Sequence, residues 1–234
     1  MSLTTLDTAF PTGTARRDAY LAHPEGTGPF PGVVIIHEIF GLNEHFKDIA
    51  RRFAGEGYAA LAVDLFSNQN RTVCMARLMS GLLFNSLNHQ GIRDLKAALT
   101  FLGEQPEVDS SRLGAVGYCL GGSFVIAWAC TDNRLKAIAP YYANNPRPLK
   151  AVERLCPVVG SYPTGDFTTK PGEALDVELD RYNIPHDIKI YHGAKHAFFN
   201  DQRPVYNEAA AKDSWQRVLT FFTEHVKASQ APQM

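Results

Sequence analysis

The sequence predicts an α/β fold, a mostly parallel sheet with helices on both faces, and three observations carry that reading. Short apolar runs alternate along the chain with longer segments of helical period, as repeated strand–helix units do. The runs are continuous rather than alternating in polarity, which is the pattern of strands covered on both sides. The chain has 234 residues, 45% hydrophobic and 20% charged, and this suits a globular domain that buries a large core. No repeat, low-complexity segment or Pro/Gly/Ser linker divides it, so residues 1–234 are expected to form a single domain.

The elements follow in order. Residues 31–38 (PGVVIIHE) read as a buried strand, four branched apolar residues after turn formers. In 43–57, Phe46, Ile49, Ala50 and Phe53 recur at helical spacing, Asn43 stands where a cap belongs, and Gly55 and Gly57 stop the helix. Residues 58–65 form the next strand. Segment 71–87, rich in Leu and Met, reads either as ordinary core or as a lid over a site. Residues 91–105 make an amphipathic helix with Ile92, Leu95, Leu99 and Leu102 on one face. A third strand, 112–118, leads into an almost wholly apolar helix, 120–130. Strands are expected at 135–142, 156–162 and 186–191. A closing helix, 208–227, turns Trp215, Val218, Leu219 and Phe222 inward.

Net charge is -1, from 23 basic and 24 acidic side chains with no long run of one sign. Nucleic acid and anionic membranes are therefore not expected as partners. No apolar run approaches the roughly 18 residues of a membrane span. The amino terminus, MSLTTLDTAFPTG, carries no basic and apolar leader, and Cys74, Cys119, Cys130 and Cys156 lack CxxC spacing. The expected setting is cytoplasmic, with free thiols and no structural metal. A monomer or weak homo-oligomer is expected.

In a parallel sheet of this kind, reactive groups sit on loops at the carboxyl ends of the strands. There Gly117-Tyr118-Cys119-Leu120-Gly121 joins a strand to a helix. It is the G-x-S-x-G nucleophile elbow with sulfur in place of oxygen. The flanking glycines allow a sharp turn, and the helix amino terminus favours a thiolate and an oxyanion. Cys130 and Cys156 read as core, and Cys74 has no base nearby in sequence. The thiol needs a base. His196, in the loop after the last strand, is the candidate, with His192 as its rival. Asp166 is the first carboxylate after strand 156–162 and could hold the imidazole; its bland reading is a turn aspartate capping the next helix. Backbone N–H groups of Ile39 and Leu120 are the candidate oxyanion donors. Glu38, where the chain leaves an apolar strand, is a carboxylate in need of a partner or of water.

Together HEIFGLN (37–43), GYCLGG (117–122), GSYPTGDFT (160–168) and KHAFFND (195–201) resemble the dienelactone hydrolases, or carboxymethylenebutenolidases. The resemblance implies an α/β-hydrolase fold and a Cys119–His196–Asp166 triad. It implies that Glu38 hydrogen-bonds the resting cysteine and helps form the thiolate once substrate is bound, and that no cofactor or metal is required. The implied reaction opens an unsaturated lactone through an acyl-enzyme, on a small-molecule lactone or ester substrate. Chlorocatechol-pathway members bind the substrate carboxylate with an arginine a few residues after the histidine. Here Phe198-Phe199-Asn200-Asp201 follows, so Arg203, Arg71 and Arg77 become the candidates, with Phe198 a candidate pocket wall. Competing readings are a general carboxylesterase or thioesterase on the same triad, a sensor built on an oxidisable Cys119, and a non-catalytic binding protein.

Overall fold

The computed structural model describes residues 2–13, 15–67 and 71–228. The strands are β1 (Leu3–Pro11), β2 (Arg16–Pro24), β3 (Phe30–Ile36), β4 (Ala59–Val63), β5 (Val108–Tyr118), β6 (Leu135–Tyr141), β7 (Val158–Pro163) and β8 (His186–Tyr191). The helices are α1 (Glu44–Gly55), α2 (Arg71–Phe84), α3 (Gln90–Gly103), α4 (Leu120–Ala129), α5 (Thr169–Arg181) and α6 (Glu208–Phe222). Among the described residues, all eight strands join one sheet in the order β1-β2-β4-β3-β5-β6-β7-β8. From β4 across to β8 neighbouring strands are parallel, while β1 pairs antiparallel with β2 and β2 with β4.

The parallel strands fall where the apolar runs predict them. The hairpin β1–β2 was not anticipated. β1 is an edge strand with one fully buried side chain, Phe10, so it has no apolar run to give it away. A buried ion pair, Arg17 Nε to Asp94 Oδ2 at 2.8 Å, ties β2 to α3, with side chains 5% and 1% exposed.

Each face of the sheet carries its own core. Phe46, Ile49 and Phe53 of α1 and Val218 and Phe222 of α6 cover one. Leu95, Leu99 and Leu102 of α3, Phe124 and Trp128 of α4, and Leu175 and Leu179 of α5 cover the other. Every residue of α4 is buried, which explains its all-apolar sequence. Asn43 occupies the cap position of α1, but its side chain makes no capping bond. The chain after α6 continues as a wider turn of π geometry, Thr223–Lys227. Among the described residues, no helix is long and apolar enough to cross a membrane.

Candidate active site

Strand β5 delivers Cys119 to the carboxyl edge of the sheet, and α4 begins one residue later. Cys119 has φ 56° and ψ -116°, a backbone conformation that costs a non-glycine residue energy and that the surrounding packing must hold. The glycines beside it are steric necessities. A Cβ on Gly117 would overlap the backbone of Gly121, and one on Gly121 would stand 2.6 Å from the His37 carbonyl oxygen.

His196 arrives on the loop after β8. Its Nε2 lies 3.1 Å from Cys119 Sγ, and its Nδ1 lies 3.1 Å from Asp166 Oδ1. With a carboxylate at Nδ1, that nitrogen carries the proton and Nε2 is free to accept one. The ring is held between aromatic faces, Phe167 stacked at 4.8 Å and Tyr142 tilted at 4.9 Å. Asp166, in the loop after β7, also accepts from Thr168 N at 2.9 Å and Thr168 Oγ1 at 2.5 Å. Burial raises its pKa, but these bonds and the imidazole outweigh burial and hold the carboxyl below its usual range. Farther along the histidine loop, Asp201 bonds His45 and Arg52 on α1 and pins the loop down. The rival His192 is exposed and meets Thr164 instead, at 3.3 Å.

Two influences on the thiol oppose the helix amino terminus. Burial, followed by the negative charge of Glu38, pushes the Cys119 pKa up to about 12. The N–H of Leu120 at the helix start opposes this, as does Arg203, and both are outweighed. Cys119 therefore rests as a thiol. Glu38, 2% exposed, accepts from Tyr142 Oη at Oε1 (3.2 Å) and from Asn200 Nδ2 at Oε2 (3.3 Å). The expected bond between Glu38 and the resting cysteine is not the one seen, because the sulfur faces His196. Burial raises the Glu38 pKa against these two bonds and the nearby Arg203 guanidinium.

Above the thiol opens a cavity of about 860 Å³, lined by Cys119, His196, Ile39 and Leu120 among others. Segment 71–87 supplies a wall, with Met79, Leu82 and Leu83 of α2 facing the cavity. The candidate substrate-binding residues fare differently. Phe198 is fully buried and packs edge-on against Tyr142 at 5.5 Å, so it is core rather than pocket wall. Arg77 is exposed on α2 and Arg203 stacks on Phe40 at 4.9 Å; neither lines the cavity. The Arg71 side chain lies outside the described residues. Among the described residues, the cations that line it are Arg147 and Lys170, which sequence reasoning missed, as it missed Tyr142 and Asn200. Tyr142 alone left a trace, an aromatic at the end of an expected apolar strand, and it leaves β6 at φ 38°.

The strand order, with a strained turn after β5, is that of the α/β-hydrolases. The profile of the Dienelactone hydrolase family matches residues 17–226. A Salmonella typhi protein named as a carboxymethylenebutenolidase is 34% identical over 235 residues, covering 93% of this chain and 86% of that one. A Saccharolobus solfataricus protein with the same name is 30% identical over 88% of this chain and 93% of its own. The crystal structure of a Klebsiella pneumoniae protein named as a dienelactone hydrolase superposes with a TM-score of 0.83 at 28% identity, over 96% of this chain and 100% of that one. The metagenomic P91, a dienelactone hydrolase-like promiscuous phosphotriesterase, superposes with a TM-score of 0.85 at 27% identity, over 96% and 99%. The chain belongs to the dienelactone hydrolase family and is a hydrolase.

Proposed function

We propose that the protein hydrolyses lactone or ester bonds, dienelactone-type compounds foremost, through a thioester on Cys119. The observation that carries this reading is the unbroken chain Asp166–His196–Cys119, with 3.1 Å at each link, on the floor of the cavity. Because the thiol rests protonated, attack on the carbonyl carbon is coupled to transfer of the thiol proton to His196 Nε2. Asp166, kept ionised by Thr168, steadies the imidazolium. The N–H groups of Leu120 and Ile39 hold the oxyanion. Collapse of the tetrahedral adduct breaks the carbonyl carbon–oxygen bond, and His196 returns the proton to the leaving alkoxide. Water then attacks the thioester with His196 as base, releases the carboxylic acid and restores the thiol. Glu38 acts before substrate arrives: its charge opposes a thiolate and so keeps the idle nucleophile unreactive.

The test is turnover of a dienelactone and of p-nitrophenyl acetate by wild type and Cys119→Ala, with intact-mass detection of the acetyl adduct. Loss of both activities and of the adduct in the variant is the expected result. Turnover that survives in Cys119→Ala would refute the nucleophile. Cleavage of the acetate but not the lactone would leave the triad standing on a general carboxylesterase.

A further inference from the structure

The cavity is larger and more apolar than a small lactone calls for. At about 860 Å³ it lies in the upper part of the ~300–1,000 Å³ range of small-molecule pockets. Met79, Leu82 and Leu83 of α2 form one wall, and Leu149, Pro171 and Ala174 help form the rest. An apolar surface of this size gains by excluding water, which a small polar ring would not do.

Among the described residues, Arg147 and Lys170 line the cavity and no carboxylate does. Among the described residues, neither cation forms an ion pair with an acidic side chain. Arg147 is also held at its backbone: its N–H donates to Ser86 Oγ at 2.9 Å, and Ser86 Oγ donates to its carbonyl at 2.7 Å. Ser86 itself is 2% exposed, so the arginine springs from a fixed base. Lys170 lies in the first turn of α5, whose amino end adds partial positive charge on the same side.

From the apolar walls and these two unpaired cations in one cavity with Cys119, we infer that the natural substrate is an extended amphiphilic ester or lactone. Its reacting carbonyl sits at Cys119, an apolar body of several carbons lies along α2, and a terminal carboxylate is received by Arg147 and Lys170. This rests on the hydrolase reading above and specifies its substrate class. A guanidinium and an ammonium together suit a carboxylate, the first as a two-pronged donor and the second as a point charge.

Two substrate series test it. One is p-nitrophenyl esters of straight-chain acids, each neutral ester paired with the ω-carboxylated ester of equal length. The other is acetates of ω-hydroxy acids paired with acetates of plain alcohols, followed by pH-stat. In whichever series matches the orientation of the substrate, kcat/KM rises by up to about fourfold per methylene until the cavity is filled. In that series the carboxylated member outruns its neutral pair. Arg147→Gln combined with Lys170→Gln cuts that ratio by about tenfold, and added salt cuts it in the wild type. A ratio near one in both series, or one unmoved by the double variant, overturns the substrate class. Acetate turnover through Cys119 would then still support the hydrolase reading. Absence of turnover on every ester would overturn both.

Discussion

The resting protonation of Cys119 can be measured in the free protein. At pH 7 a thiol with a pKa of about 12 is ionised to roughly one part in 10⁵, against roughly 3% for an ordinary cysteine of pKa about 8.5. Since the thiolate is the species that alkylates, Cys119 in the folded protein should react with iodoacetamide on the order of a thousandfold more slowly than the same residue in denaturant. The sign of the pH dependence follows from the same shift. The rate should climb steadily with pH, about tenfold per unit, with no plateau near neutrality. The assay is alkylation over a pH series with peptide mapping, which separates Cys119 from Cys74, Cys130 and Cys156, all free thiols. A rate that levels off below pH 7 would mean a thiolate–imidazolium pair at rest, and the argument from burial and Glu38 would be wrong. Fast acylation by an ester under conditions of slow alkylation would show that proton transfer and attack occur together.

Glu38→Gln replaces an acceptor that serves two donors with a group that must turn its own N–H toward one of them. It should lose about 1–3 kcal/mol of stability in urea unfolding while bringing the Cys119 alkylation profile to lower pH; unchanged alkylation would dismiss the charge effect. Gly121→Ala forces a methyl against the carbonyls at the end of β3, and about 2–4 kcal/mol should be lost in the same assay. A variant as stable as wild type would show that the elbow can open. Arg17→Met strands the buried carboxylate of Asp94 and should cost about 3–5 kcal/mol, most of it recovered in the double variant with Asp94→Leu. No recovery would show that the pair is not the origin of the loss.

Much of this arrangement was legible in the residues because it follows from local rules. Strands buried on both faces announce themselves as unbroken apolar runs, so β3 to β7 were placed to within a few residues. The turn at Cys119 was readable because only small residues fit at Gly117 and Gly121. His196 and Asp166 were found by chain order, each on the loop after a strand, and the geometry brings both together with the cysteine. What escaped was set by contacts distant in sequence. Nothing near Asn200 in the sequence points to Glu38, and nothing near Arg147 points to Ser86. Phe198 looked like a pocket wall because aromatics follow the histidine, yet Tyr141, Tyr142 and Tyr191 close around it. The edge strand β1 was silent because it faces solvent over most of its length.

The placement of α2 separates two kinds of change in the molecule. The groups proposed to react stand at the ends of strands, where moving any one backbone atom disturbs the sheet. Met79, Leu82 and Leu83 stand on a helix strung between β4 and α3, beside the reacting groups but outside the sheet. Leucine and methionine exchange in such settings at small cost in stability. The shape of the cavity can therefore be rewritten by point changes on α2 while the spacing of Cys119, His196 and Asp166 stays fixed. In laboratory evolution toward new substrates, α2 is the part of the chain to randomise first.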